Sequence, residues 1–126
     1  MKNENDISYD IRGAAFKVHS ALGPGLLESV YETSLAYELK EMGYEVQSQK
    51  GVPMMYKEIK FETGYRLDLL VNNLIIVEIK SVDTLADIHH KQLLTYLKLA
   101  GKKLGLLINF NSSSLKDSIV RIVNNL

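Results

Sequence analysis

Residues 74–80 read LIIVEIK, and this stretch decides the fold. Its first four residues are apolar on both alternating faces, a pattern that a strand covered by helices on both faces requires. We therefore expect residues 74–80 to form a central strand. Glu78 and Lys80 depart from the pattern because they lie two apart on one face, and an unpaired buried carboxylate is costly. Either this strand end emerges into solvent as a simple Glu/Lys pair, or a cation meets Glu78.

The segments on either side predict a mixed sheet. Upstream, apolar residues at helical spacing predict helices over residues 7–22 and 26–42. Segments rich in Val, Tyr, Ile and Phe then predict antiparallel strands over 44–49, 52–56 with 57–61, and 65–71. Downstream, the sequence predicts a helix over 86–100 and an apolar strand over 103–110. The strand, helix, strand succession implies a parallel crossover, and the whole order predicts an α/β fold with helices on both faces of the sheet.

The last segment is predicted to be a helix. Ser114 stands three residues before Asp117, as in a helix cap. The expected buried stripe of this helix is Leu115, Ile119, Ile122 and Val123.

Composition limits the class of protein. The chain has 126 residues, so residues 1–126 are expected to form one domain. It has no cysteine, which excludes a thiol nucleophile, a zinc-thiolate site and a disulfide framework. No stretch approaches the ~20 apolar residues of a membrane span, and the first residues lack the apolar segment of a signal peptide. We expect a cytoplasmic protein with no membrane partner, for which a homo-oligomer is compatible with the sequence.

Charge is balanced overall and divided along the chain. The formal net charge is zero, which argues against a protein held to nucleic acid by bulk electrostatics. Residues 1–48 carry 4 Lys/Arg and 8 Asp/Glu, whereas residues 49–126 carry 11 and 7. The sequence therefore allows a basic surface beside an acidic site.

Asp68 gives Glu78 a possible partner. It lies in the preceding predicted strand, which Asn72 and Asn73 connect to the Glu78 strand. A two-residue Asn-Asn turn would point the two carboxylates to opposite faces, whereas a three-residue loop or a bulge would set them directly across from each other, with Cβ atoms about 5 Å apart. We predict the odd-length loop or the bulge, because only that register lets the two carboxylates share a cation.

Such a pair of carboxylates suits a hard divalent cation. Like charges at this spacing repel unless a cation bridges them or one carboxyl is protonated. Mg²⁺ accepts one or two protein carboxylates and keeps several waters, and Asp68, Glu78 and the backbone carbonyl of Ile79 supply suitable oxygens. Mn²⁺ is an alternative. Lys80, on the same face, is expected to orient or deprotonate the attacking water, and the substrate best matched to this chemistry is a phosphodiester.

These residues resemble the core signature of the PD-(D/E)XK nuclease superfamily. Four further motifs strengthen the resemblance. GYRLD (64–68) and QLLTY (92–96) are similar to motifs of its RecB-like branch. GLLESVY (25–31) and GLLINF (105–110) are typical of the GxxExxY proteins, a small bacterial group. The superfamily's proline before the aspartate is replaced here by Leu67.

The resemblance implies a restriction-endonuclease-like αβββαβ core and a set of site residues. It places Glu28, Asp68, Glu78 and Lys80 at the acidic and basic catalytic positions. Glu28 is expected to hold a cation-bound water, and Gln92 to bond near the scissile phosphate with Tyr96 in support. Without the family, Gln92 and Tyr96 are equally well explained as an amide and a phenol at a packed helix edge.

Simpler interpretations apply to the remaining polar residues. Tyr31 lies on the buried stripe of its helix and is expected to be a supporting core residue, and Glu32 is predicted to be on the surface. His89 and His90 are adjacent on a helix, where side chains point about 100° apart, so they cannot chelate one ion and are predicted to be surface residues. Four lysines have two possible interpretations: they contact phosphates, or they form an ordinary solvated face. They are Lys91, Lys98, Lys102 and Lys103.

The sequence thus predicts a Mg²⁺-dependent phosphodiesterase acting on nucleic acid, with DNA favoured. The rival hypothesis is a non-catalytic interaction or nucleic-acid-binding module on the same scaffold. Retention of Asp68, Glu78 and Lys80 favours the enzyme, whereas the zero net charge weakens any expectation of tight, sequence-specific binding.

Overall fold

The computed structural model describes residues 2–126 and shows one five-stranded mixed sheet with helices on both faces. The helices are α1 (Glu4–Leu22), α2 (Glu28–Glu41) and α3 (Asp87–Ala100). The strands are β1 (Val46–Tyr56), β2 (Ile59–Val71), β3 (Ile75–Lys80), β4 (Leu104–Asn109) and β5 (Ile119–Val123). The predicted α/β class and αβββαβ core are confirmed.

The strands lie in the sheet in chain order, β1-β2-β3-β4-β5. Only β3 and β4 are parallel, and α3 makes the crossover between them. All other neighbouring pairs are antiparallel. Because β3 and β4 lie in the middle of the sheet under helices on both faces, they are almost continuously buried, as the LIIVEIK pattern predicts.

Two apolar clusters cover the two faces of the sheet. On one face, α1 and α2 pack on alternate residues of the central strands, among them Leu69, Val77 and Ile79. On the other face, Leu93 and Leu97 of α3 pack on a smaller set of strand residues that includes Ile76 and Leu107. The sheet is therefore the middle layer of three.

Two predictions about secondary structure are wrong. The C-terminal segment is a short 3-10 turn, Leu115–Ser118, followed by strand β5, which pairs with β4 from Ile108↔Ile119 to Leu104↔Val123. The predicted short strands before residue 71 are instead two long ones, β1 and β2. A register shift occurs where Val52 pairs with Tyr65 and Met54 with Phe61, so the extra residues 62–64 lie in β2 between the predicted segments 57–61 and 65–71.

None of the helices formed by residues 2–126 has both the length and the apolar character needed to cross a membrane.

Candidate active site

A three-residue loop brings Asp68 and Glu78 together. The β2–β3 pairing runs Val71↔Ile75, Leu70↔Ile76 and Leu69↔Val77, so that Asn72, Asn73 and Leu74 form the loop. The same register continued by one residue would set Asp68 opposite Glu78. Both asparagines have positive φ, 51° and 56°, a conformation that asparagine tolerates better than most residues. The predicted odd-length loop is confirmed.

The regular ladder between β2 and β3 ends at these two residues. The backbone N–H of Asp68 donates to Glu78 Oε2 at 2.9 Å, and the backbone N–H of Ile79 donates to Asp68 Oδ2 at 2.8 Å. Each carboxylate thus binds the backbone of the opposite strand. The two strands remain tied together while their backbones separate.

The alternation of β2 also breaks at Asp68. Leu69 and Val71 pack towards α1 and α2, whereas Leu70 and Leu67 both pack towards α3. Leu67 and Leu70 are three residues apart, so they can share a face only if the regular alternation is interrupted between them. Asp68 lies at that interruption, opposite Gln49, whose φ is 51°.

Glu78 is one of three polar residues buried in the described part of the chain, with 4% of its surface exposed. Burial, and next the negative charge of Asp68, raise the pKa of Glu78 to about 8, while the N–H of Asp68 and the charge of Lys80 act in the opposite direction. The raised pKa favours the protonated form of Glu78, which lessens the repulsion between the two carboxyl groups.

Lys80 lies at the carboxyl end of β3, two residues beyond Glu78. It pairs with Asn109 of β4, and its backbone carbonyl accepts from Phe110 N–H at 2.9 Å. Its side chain is half-buried, and its charge acts on Glu78. Lys80 therefore follows Glu78 at the end of the same strand, and the role of its ammonium group towards water stays a prediction.

The carboxylate of Glu28 reaches the end of the same strand. Oε2 of Glu28 accepts from the backbone N–H of Ser81 at 3.4 Å, and Ser81 Oγ donates to the carbonyl of Leu26 at 2.8 Å. These contacts fix the start of α2 against the residue that follows Lys80. Glu28 itself is exposed, so it faces the open side of the site.

Tyr31 holds the loop that positions Glu28. The residue is fully buried and stacks on Phe110, with ring centroids 4.6 Å apart. Its hydroxyl donates to the carbonyl of Gly23 at 2.6 Å and accepts from the N–H of Leu26 at 3.1 Å. Its supporting place in the core is as predicted.

Two residues close to Asp68 were missed by the sequence analysis. Nε2 of Gln49 donates to Glu32 Oε1 at 2.8 Å and to Asp68 Oδ1 at 3.3 Å. Burial raises the pKa of Glu32, and Gln49 counteracts that rise. The assignment of Glu32 to the surface is only partly correct, because Glu32 is half-buried and bonded to Gln49. The only sequence signal was its position one helical turn after Glu28.

The α3 side of the site carries two tyrosines. Tyr96 stacks on Tyr65, with ring centroids 4.9 Å apart. Burial, followed by the charges of Glu78 and Asp68, raises the pKa of Tyr96. Gln92 lies one helical turn earlier and is half-buried. Gln92 and Tyr96 both lie on α3, and their roles towards the phosphate stay predictions.

Most of the predicted phosphate-contacting lysines lie elsewhere. Nζ of Lys102 donates to Oδ1 of Asn73 at 3.2 Å, in the loop at the opposite end of β3 from Lys80. Lys103 and Lys98 lie at that same end, just before β4 and near the end of α3. Lys91 pairs with Asp87 at 3.2 Å on exposed α3. The structure does not bring these residues to the carboxylates.

The histidines have structural partners. Nδ1 of His89 accepts from the N–H of Ala86 at 2.9 Å, which caps α3, and His90 Nδ1 lies 3.1 Å from the Ala86 carbonyl oxygen. Both are half-buried, so their assignment to the surface is only partly correct, but they do not face one ion.

The oxygen set at the end of β3 fits a magnesium-like cation. Asp68 and Glu78 supply carboxylates from adjacent strands. The carbonyl of Ile79 points to the same edge of β3 as its N–H, towards Asp68. Among residues 2–126, no three His, Asp or Glu side chains converge as a complete cluster. Two carboxylates and one carbonyl suit Mg²⁺ or Mn²⁺, which keep water ligands, better than an ion that needs a full protein cage.

The family of the chain agrees with this geometry. A family model described as the PD-(D/E)XK nuclease superfamily matches residues 5–122. The chain belongs to the PD-(D/E)XK nuclease superfamily, and membership supports a metal-dependent nuclease. Comparisons with curated proteins and with solved structures return no match.

Proposed function

We propose that this protein is a Mg²⁺-dependent phosphodiesterase that cleaves nucleic acid, with DNA as the favoured substrate and Mn²⁺ as an alternative ion. The observation that carries the proposal is the pairing of Asp68 and Glu78 across two diverging strands, with Lys80 at the end of the same strand as Glu78. A structural ion pair between Glu78 and Lys80 needs no second carboxyl group. A site that holds a divalent cation does, because the carboxylates supply the oxygen ligands and balance the charge of the ion.

The residues divide the work as follows. Asp68, Glu78 and the carbonyl of Ile79 would hold the ion, which lowers the pKa of water and offsets charge on the phosphate. Lys80 orients or deprotonates the attacking water. Gln49, anchored on Glu32, fixes the orientation of Asp68.

The outer contacts are assigned from their positions. Glu28 would hydrogen-bond a water at the open side of the site. Gln92 would contact the phosphate from the α3 side, and Tyr96 would position it. We also propose, from the motifs at 25–31 and 64–68, that the chain belongs to the GxxExxY group with RecB-like motifs and acts in the bacterial cytoplasm.

Cleavage assays on wild type and Lys80→Met test this proposal. Labelled single-stranded and duplex forms of DNA and RNA are incubated with each protein in Mg²⁺, Mn²⁺ or EDTA. We expect wild type to cleave at least one DNA form in Mg²⁺ or Mn²⁺ and none in EDTA. Loss of a general base lowers rates by about 10²–10⁴-fold, and we expect Lys80→Met to do so.

Lys102→Met is the matched control, because Lys102 is bonded to Asn73 at the opposite end of β3. It should cleave like wild type, and equal loss in both variants would show a contaminant or a general charge effect. If wild type leaves every substrate intact in Mn²⁺, the enzyme proposal fails and the non-catalytic module is favoured.

A further inference from the structure

The β1–β2 hairpin extends far beyond the rest of the sheet. Strand β2 pairs with β1 from Ile59 to Val71, but with β3 only from Leu69 to Val71. Ile59 lies nine positions before Asp68 in the sequence, so an extended strand carries it about 30 Å away from Asp68. We call residues 50–66 the arm. It leaves the sheet on the side of the carboxylate pair.

The arm exposes apolar side chains at its tip, beyond Val52 and Tyr65, which still pack against the α3 side of the sheet. Met55, Tyr56, Ile59 and Phe61, near its tip, are 42–59% exposed. A two-stranded ribbon with both faces in water is only marginally stable, and clustered exposed apolar residues mark interaction sites. The tip therefore has the composition of a surface that contacts another molecule.

The two strands of the arm are nevertheless specifically fitted to each other. At the register shift, the side chain of Met54 lies over Gly64, where an added Cβ would come within 2.1 Å of Met54 Cγ. Only glycine leaves room for this contact. Bulges and such close approaches commonly redirect a strand next to a functional site.

The charge of the arm is opposite to that of the active centre. The arm has a net charge of +2, whereas the whole chain has a net charge of zero. Its basic side chains are Lys50, Lys57, Lys60 and Arg66, and its acidic ones are Glu58 and Glu62. Its one ion pair, Lys60 with Glu62 at 3.7 Å, is exposed and therefore weak. Phosphate groups match this charge.

We propose that the arm binds duplex DNA next to the active centre, with its cations on the phosphates and its apolar tip against the bases. The inference rests on the proposed nuclease function and names the substrate class of that site. A two-stranded ribbon enters the major groove of B-form DNA, about 12 Å wide, whereas the major groove of A-form RNA is too narrow for side chains to read. The arm therefore selects duplex DNA over duplex RNA.

The test measures binding in EDTA, so that cleavage plays no part. Fluorescence anisotropy gives Kd for a labelled DNA duplex and for the RNA duplex of the same sequence, over a range of salt concentrations. We expect the DNA duplex to bind more tightly. Since each phosphate contact contributes about 0.9 to the slope of log K against log salt, Lys57→Ser/Lys60→Ser should lower that slope by about 2 and the affinity by about tenfold.

Lys102→Ser/Lys103→Ser removes the same charge at the far end of β3 and should change neither quantity. Ile59→Ser/Phe61→Ser should weaken binding with the slope unchanged. Equal salt-dependence slopes in Lys57→Ser/Lys60→Ser and in the control Lys102→Ser/Lys103→Ser would overturn the proposal. So would a wild-type dimer, measured by light scattering, that Ile59→Ser/Phe61→Ser dissociates without any loss of DNA affinity.

The two proposals fail separately. DNA binding that depends on the arm, together with no cleavage in Mn²⁺, would contradict the proposed nuclease function and support the proposed role of the arm in DNA binding. Cleavage that depends on Lys80, together with unaltered DNA binding by the arm variants, would contradict only the proposal that the arm binds DNA.

Discussion

Asp68 and Glu78 bind each other's strands reciprocally: the Asp68 N–H donates to the Glu78 carboxylate, and the Asp68 carboxylate accepts from the N–H of Ile79, the residue after Glu78. Side chains thus replace the backbone acceptors that a regular ladder would provide. Both N–H groups are satisfied, which a buried backbone requires. The arrangement leaves one oxygen of each carboxylate outside these two bonds.

Asp68→Asn should abolish stabilisation by divalent ions. The amide oxygen of asparagine can still accept from Ile79, so the fold should be retained, but the charge that attracts the ion is lost. An ion at 100 times its Kd stabilises wild type by about 2.7 kcal/mol. We expect millimolar Mg²⁺ or Mn²⁺ to raise the Tm of wild type and of Asp117→Asn by several degrees, and that of Asp68→Asn not at all. A flat wild-type titration would exclude the site.

The pH dependence of stability should carry the signature of Glu78. Its pKa is raised from 4.5 to about 8, so the folded protein keeps a proton that the unfolded chain loses above pH 4.5. The resulting contribution to the free energy of unfolding is complete below about pH 4.5 and falls as the pH rises through about 8.

Urea denaturation in EDTA at several pH values between 5 and 8 measures this contribution. Glu78→Gln should flatten the decline, whereas Glu62→Gln, on the exposed arm, should keep the wild-type profile. Parallel profiles for wild type and Glu78→Gln would show that Glu78 is already ionised in the folded protein.

Glu32→Gln should weaken ion binding several-fold without unfolding the protein. Glutamine can still bond to Gln49, so the contact at 2.8 Å is replaceable, but one negative charge near Asp68 is removed. Calorimetric titration with Mn²⁺ measures the effect, and Glu41→Gln at the far end of α2 is the control. Identical Mn²⁺ affinities for all three proteins would remove Glu32 from the site.

Glu28→Gln should reduce the cleavage rate less than Lys80→Met does. Glu28 is exposed and contacts only the N–H of Ser81 at 3.4 Å, so a water and its partners can substitute for part of its role. Single-turnover rates with saturating Mn²⁺ compare the two variants. A larger loss in Glu28→Gln would mean that Glu28 binds the ion directly.

Two glycine substitutions test the packing of the helices. A Cβ at Gly105 would lie 2.9 Å from Leu93 Cδ1, so Gly105→Ala overpacks the contact between β4 and α3, and we expect a loss of about 1–3 kcal/mol. Gly13 lies in α1, where an added methyl group would have no neighbour within 4 Å, and Gly13→Ala should stabilise by about 1 kcal/mol. Urea denaturation distinguishes the two signs.

The geometry of the central site was predictable because it depends on local chain features. Asn72 and Asn73 restrict the loop, and the apolar alternation of residues 74–77 fixes which side chains face the helices. Together they place Asp68 across from Glu78. Glu32 and Gln49 were not predictable in this way, because 17 residues separate them and their contact depends on how α2 crosses the sheet.

The C-terminal segment shows why a helical pattern can mislead. Leu115, Ile119 and Ile122 have helical spacing, but the segment is short, and isolated short helices are unstable. The open edge of β4 offers five antiparallel partners instead, from Leu104 to Ile108. Tertiary pairing thus overrides the local pattern, as it also does in joining the predicted short strands of β1 and β2.

Because β2 pairs with β1 over its whole length but with β3 only at residues 69–71, its two parts should differ in how easily their backbone hydrogen bonds open. Amide protons at 69–71, enclosed between β1 and β3, should exchange with solvent only on global unfolding, whereas those at 59–66 can exchange by local separation of the hairpin. Asp68 lies at the boundary and is tied to β3 through its own N–H. The outer hairpin can therefore open and close repeatedly while the carboxylate pair keeps its geometry.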